Sequence, residues 1–131
     1  ERVKLERLIK KLKLGKKVFL KGYRPDIHKI NLDSDLALIT SRWEGFGLVA
    51  IEFLSARIPV IASSIEGLRE ILYECKVAKL VSEINENKFA KAIKTESSNT
   101  NLKAQLAINY SKKFSYKKML DLYIDVYDKF F

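Results

Sequence analysis

Residues 41–63 read SRWEGFGLVAIEFLSARIPVIAS. The stretch opens with two glycines in seven residues, runs through an apolar segment of helical length at 47–57, and closes on Pro59-Val60-Ile61-Ala62, a short run suited to a buried strand. Upstream, Leu36-Ala37-Leu38-Ile39 is a second short apolar run. A strand, a glycine-bearing loop, a helix and another strand in that order form a parallel crossover. One residue resists the pattern. Glu52 lies in the middle of the apolar helix, with seven residues between it and Glu44.

The same alternation extends both ways. Leu5, Leu8, Ile9, Leu12 and Leu14 predict an amphipathic helix over 2–14, ending near Gly15. Val18-Phe19-Leu20 reads as a buried strand ending at Gly22, and YRPDIHKIN (23–31) as a loop opening a short helix, with Pro25 suited to its first turn. Beyond the central stretch, Ser63 to Gly67 is a turn, Leu68 to Tyr73 a short helix, and Ala78-Lys79-Leu80-Val81 a further strand. Helices follow at about 86–95, 100–113 and 116–130, with the polar ESSNTN connection at 96–101. Strands apolar on both faces suit a sheet covered on both sides. The fold class is α/β, a Rossmann-like open parallel sheet with helices on both faces. Ligands of such sheets bind beyond the carboxyl ends of the strands, which nominates the loops 22–26, 40–47 and 63–67.

A chain of 131 residues with 47% hydrophobic content fits one domain, residues 1–131. The net charge of +9 is unevenly spread: residues 1–35 hold 11 Lys/Arg against 5 Asp/Glu, residues 36–75 hold 3 against 5, and residues 76–131 hold 11 against 6. A reader of phosphate backbones places its basic stripe on the surface carrying its distinctive residues. Here the two are segregated, which argues against nucleic acid as a partner. The lysine-rich flanks are solvated helix faces or, alternatively, a peripheral attraction to an anionic membrane. Cys75 is the only cysteine and His28 the only histidine, so no internal disulfide and no metal-ligand cluster is expected, and a reducing cytoplasm fits. The apolar runs fall well short of the roughly 20 residues that span a bilayer, and Glu1-Arg2-Val3-Lys4 does not read as a signal peptide.

The loop Ser41–Gly47 can do specific chemistry at the start of a helix. Gly45 and Gly47 allow the backbone close to a ligand, and the first helical N–H groups, at the positive end of the dipole, lack internal partners. Together these suit a phosphate. Glu52 lies about two turns into the helix, with Leu48, Val49, Ser55 and Ala56 at the positions where a local ion pair would form. Either it points to solvent or caps another loop, or it accepts hydrogen bonds from two adjacent hydroxyls, as on a ribose. A nucleotide along this line would place its ribose near Glu52, its phosphates at the helix start and the group beyond them near Glu44, which is the layout of a nucleotide-sugar.

SRWEGFGLVAIEFLSARIPVIASSIEGLREIL (41–72) resembles the donor-binding segment of retaining glycosyltransferases of family 4, which have the GT-B fold. Their signature is two glutamates separated by seven residues around E-G-F-G-L, then a Pro-Val-Ile strand and a glycine-bearing turn before Glu-Ile. VFLKGYRPDIHKI, SDLALITS, the lysine-rich helical stretch and the final FSYKKMLDLYIDVYDKF extend the likeness over nearly the whole chain. The resemblance implies a carboxyl-terminal donor-binding domain. Glu44, with Phe46 and Gly47, would contact the transferred sugar as the catalytic-site carboxylate, in a positioning role. Gly47 and the amides of Leu48 and Val49 would meet the diphosphate, Glu52 would hold the ribose, and Gly22, Tyr23 and Arg24 would lie against the nucleobase.

The implied reaction is transfer with retention from a nucleotide-sugar, with a UDP-sugar favoured over a GDP- or ADP-sugar. No cofactor or metal is called for, because stabilising charge on the departing diphosphate is the protein's main task. The acceptor would be a glycan or lipid-linked molecule in surface polysaccharide or lipopolysaccharide biosynthesis, bound by an amino-terminal domain outside this chain. The strand-helix unit whose Arg and Lys grip the diphosphate in that family also falls outside it, so the chain is expected to be a partial domain, inactive alone. A non-catalytic nucleotide-binding module of the same fold is the alternative. Localisation is expected to be cytoplasmic, with peripheral contact on the inner membrane face.

Two departures stand out: Ile65-Glu66-Gly67 where the family often has Gly-Gly, and YECKVAKLVS (73–82) where a glycine is common before the strand. Arg69 and Glu70 read as helix-surface residues and His28 as a surface or packing residue. Trp43 either touches ligand or packs beneath the loop. Tyr110, Phe114, Tyr116, Tyr123 and Tyr127 fall at helical spacing and are expected in the core or at a domain contact.

Overall fold

In a computed structural model describing residues 1–96 and 101–130, three short apolar runs form the sheet: β1 (Ala37–Ile39), β2 (Val60–Ser63) and β3 (Ala78–Val81). All pair in parallel in the order β1-β2-β3, with Ala37 opposite Val60 and Ser63 opposite Val81. The helices are α1 (Arg2–Lys11), α2 (Ile27–Leu32), α3 (Leu48–Ser55), α4 (Glu66–Leu72), α5 (Glu86–Glu96), α6 (Asn101–Ser111) and α7 (Tyr116–Phe130), with one 3-10 turn at Lys112–Phe114. Residues 97–100 of the polar connection expected at 96–101 lie outside the described residues.

Successive residues of a strand face opposite sides, and β2 is buried along its whole length. Its Val60 and Ala62 join Ala37 and Ile39 under Ala50 and Leu54 of α3, Leu68, Ile71 and Leu72 of α4, and Ala107 of α6. Its Ile61 faces the other way, with Val81, against Phe89 and Ala92 of α5. Helices therefore cover both faces. Burying a side chain such as Leu54 completely stabilises the fold by roughly 1.5–3 kcal/mol. The Tyr110 hydroxyl donates to the Ile71 carbonyl at 2.7 Å, tying α6 to the end of α4. The Tyr110 and Phe114 rings lie 5.9 Å apart, and Lys113 sits 4.7 Å over Tyr110.

Several expectations are corrected. Val18-Phe19-Leu20 forms no strand, and Phe19 is 64% exposed. A strand needs a ladder partner for its backbone groups, and β1 pairs with β2 alone. The segment instead follows α1, with Arg2 donating to the Leu20 carbonyl and Lys21 over the Phe19 ring. Helix α1 ends at Lys11 and not near Gly15, because the chain turns at Lys13 in the left-handed region. Glu66 and Gly67 belong to the first turn of α4 and not to the turn before it; Ile65 supplies the extended cap, and Glu66 suits the positive helix end. Of the aromatic residues expected in the core or at a domain contact, Tyr110 and Phe114 pack against the core, whereas Tyr116, Tyr123 and Tyr127 are exposed on α7, which overturns only the core half of the expectation for them.

Candidate functional site

The loop between β1 and α3 ends at Gly47, the α3 cap, whose φ of 82° lies in the left-handed region open to glycine. A Cβ there would meet the Leu68 Cδ2 at 2.8 Å. On the other side of the loop, a Cβ on Gly67 would stand 2.6 Å from the carbonyl oxygens of both Glu44 and Gly45. The first turn of α4 therefore supports the loop backbone directly, and Gly67 makes that approach sterically open. Glu44 is held half-buried on this support, while Phe46 is half-exposed beyond it.

The Ala50 N–H is taken by the Gly47 carbonyl at 2.9 Å. Leu48 and Val49 precede the first intrahelical bond, so the helix supplies no partners for their N–H groups, which lie at the positive end of the dipole.

Glu52 does not lie in apolar surroundings, although its neighbours in sequence are apolar. Ala50 and Leu54 turn into the core while Glu52 and Ser55 share the exposed strip of α3. Two cavities open from that strip. One, about 410 Å³, lies between α2 and α3, with Ile27, His28, Asn31 and Leu32 on one wall and Glu52, Ser55 and Ala56 on the other. The second, about 390 Å³, is walled by Phe46, Leu48 and Ile51 on the α3 side and by Phe114, Met119 and Leu122 on the side of α7, again with Glu52.

The structure thus gathers Glu52, Phe46 and Leu48 around one groove and places Glu44 and Gly47 one helix turn or more nearer the strand. Gly22, Tyr23 and Arg24 line neither cavity. Gly22 is left-handed at φ 67°, Tyr23 is 92% exposed, and Arg24 is engaged with Asp26 through Nε–Oδ1 (2.8 Å) and Nη2–Oδ2 (2.6 Å). The hydrogen bond from Arg24 holds the Asp26 carboxyl below its usual range, and the same bond raises the guanidinium. Trp43 is 83% exposed, not packed beneath the loop.

Sequence reasoning passed over two residues. His28 shares a cavity with Glu52. Asn31 is 4% exposed, and its Oδ1 is buried without a hydrogen-bond partner. The available signal was a lone amide among Ile27, Ile30 and Leu32, where helical periodicity asks for an apolar side chain.

Residues 1–114 match the model of the family described as glycosyl transferases group 1. An uncharacterized glycosyltransferase of Methanocaldococcus jannaschii is 37% identical over 84 residues, 62% of this chain and 24% of that protein. The poly(ribitol-phosphate) alpha-N-acetylglucosaminyltransferase of Staphylococcus aureus is 29% identical over 130 residues, 95% of this chain and 26% of that protein. The chain spans about a quarter of the length of these curated relatives. The sucrose-phosphate synthase of Thermosynechococcus elongatus superposes with a TM-score of 0.73 at 22% identity, over 98% of this chain and 35% of that one, a likeness of fold. Among the described residues no helix is long and apolar enough to cross a membrane.

Proposed function

The chain belongs to the group 1 glycosyl transferases, and from that membership we propose that it is the donor-binding, carboxyl-terminal part of a retaining GT-B enzyme of family 4. Its donor is a nucleotide-sugar, with UDP-sugar favoured, and its acceptor a glycan or lipid-linked molecule in surface polysaccharide assembly. The observation that carries this reading is the placement of Glu52. A carboxylate on the open strip of an otherwise apolar helix, between two cavities and one turn from amides free to meet a phosphate, is suited to a vicinal diol whose other end is anionic.

In this arrangement Glu52 accepts hydrogen bonds from the ribose hydroxyls. The amides of Leu48 and Val49, with Gly47 removing the side chain at the cap, receive the diphosphate. Their dipoles are fixed before reaction, so charge that grows on the departing diphosphate is stabilised without reorganisation. The departing phosphate oxygen takes the acceptor hydroxyl proton as the new glycosidic bond forms on the face that the leaving group vacates. Glu44, with Phe46 and Gly47, orients the sugar hydroxyls and transfers no proton. Gly22, Tyr23 and Arg24 flank the base. Contact with the inner membrane face would bring a lipid-linked acceptor to the site, and the lysine-rich flanks suit an anionic surface.

The test is an amide-shift titration of the chain with UDP, GDP and ADP, repeated with Glu52→Gln. Localised shifts at 44–52, weakened about tenfold by the substitution, are expected from loss of a charge-assisted hydrogen bond. Shifts that Glu52→Gln leaves unchanged would remove the ribose assignment, and no localised shifts near millimolar nucleotide would remove the donor site.

A further inference from the structure

The tip of the loop before α3 holds two aromatic side chains in the open. Trp43 is 83% exposed and Phe46 48%, while Glu44 between them is half-buried. An indole left in water forgoes the burial that makes tryptophan stabilising inside a fold, so packing of the chain itself does not account for it. The ring does not trail away from the loop. Its Cη2 lies 3.9 Å from the position of a Cβ on Gly45, so the indole reaches forward past Glu44 to the residue that follows it. The Glu44 side chain leans toward the helix cap, with its Cγ 3.7 Å from the position of a Cβ on Gly47. The loop backbone under both is braced by α4, where the Gly45 carbonyl oxygen would stand 2.6 Å from a Cβ on Gly67.

One short, braced stretch thus offers a carboxylate and an open aromatic face side by side. A pyranose needs that pair. Its rim of hydroxyls donates to carboxylates, whereas its ring C–H groups form an apolar face with a slight positive charge that suits the negative face of an aromatic ring. We propose that Trp43 is the stacking platform for the transferred sugar, its indole covering the C–H face of the pyranose whose hydroxyls Glu44 orients. The inference rests on the proposed role of Glu44. It adds to that role a residue that binds the sugar and not the nucleotide, which makes the two separable by experiment.

Trp43 is the only tryptophan of the chain, so selectively excited indole emission reports on this ring alone. The chain is titrated with UDP, GDP and ADP, each beside its sugar-bearing forms: UDP-glucose, UDP-N-acetylglucosamine, UDP-galactose, GDP-mannose and ADP-glucose. Indole emission and acrylamide quenching are followed, and affinities are taken from amide shifts. At least one nucleotide-sugar is expected to move the emission to shorter wavelength, to reduce quenching about twofold or more relative to its parent nucleotide, and to bind about two- to tenfold more tightly than that parent. The gain in affinity should disappear in Trp43→Ala and return in Trp43→Phe, which keeps an aromatic face. Amide shifts at 44–52 with the same indole response to each nucleotide and its sugar-bearing forms overturn the role of Trp43 and leave the donor site standing. A gain in affinity that survives Trp43→Ala overturns it as well. No amide shifts with any of these compounds overturn both the platform and the donor site.

Discussion

Gly67 lies so close to Glu44 that a Cβ on the glycine would come 2.6 Å from the glutamate's carbonyl oxygen. The loop between β1 and α3 and the start of α4 are therefore one packed unit, with the loop carbonyls resting on a helix turn that has no side chain at the contact. The consequence is that loop geometry depends on a residue outside the loop.

Gly67→Ala should force the loop off its support. The contact is backbone against backbone, so no flexible side chain can yield. A destabilisation of about 1–3 kcal/mol is expected from overpacking, with weaker nucleotide binding at the Leu48 and Val49 amides. Urea midpoints and a UDP titration check both. An alanine variant with unchanged midpoint and affinity would mean that the loop moves freely over α4.

Gly47 combines two constraints, a left-handed φ and a neighbour, Leu68 Cδ2, at 2.8 Å from an added Cβ. Gly47→Ala should therefore cost at least about 1–2 kcal/mol from backbone strain alone. Gly15, which would meet nothing within 4 Å and has no left-handed φ, is the control: Gly15→Ala should be neutral, or stabilising by up to about 1 kcal/mol through the unfolded chain. Chemical denaturation of the two variants side by side tests the contrast.

The alternation of apolar runs made the sheet legible in the sequence, because β1, β2 and β3 are buried enough for hydrophobicity alone to mark them. Val18–Leu20 has the same composition yet no ladder, and composition does not record whether a partner strand lies alongside. The glycine loop and the glutamate pair were legible from spacing. The sequence leaves Glu52 either pointing to solvent or held by hydrogen bonds, because its neighbours in sequence are apolar, whereas its neighbours in space are set by the direction of the helix face. The close approach at Gly67 and the unpaired oxygen of Asn31 are not legible in the sequence for a related reason. The significance of each lies in one tertiary contact or its absence, a carbonyl approach in one case and an unpaired oxygen in the other.

Stability should decline at alkaline pH. Burial pushes up the Cys75 thiol, and burial likewise raises the Tyr110 phenol. Both groups resist ionisation in the folded chain, so each contribution is complete below the unfolded value and is lost as pH rises through the folded one. Loss begins above about pH 8.5 for the thiol and about pH 10 for the phenol. Urea midpoints at pH 7.5 and 9.5 should fall in the native chain. In Cys75→Ala they should start lower, because a buried side chain is truncated, but decline less over that interval. Equal declines would show that ionisation of Cys75 does not contribute.

Asn31→Leu tests the energetic side of the buried amide independently of any ligand. Leucine branches at Cγ as asparagine does and suits a wall shared with Ile27 and Leu32, and it removes an oxygen that has no partner. Replacing an unsatisfied buried polar group with an apolar one of similar shape should raise stability by about 1 kcal/mol. Asn31→Asp places a charge at the same point and should lower stability below that of the native chain at neutral pH, with partial recovery as the carboxyl is protonated. The ordering Leu above Asn above Asp in urea midpoint at pH 7 is therefore expected. If Leu falls below Asn instead, the amide stabilises the chain despite its unpaired oxygen.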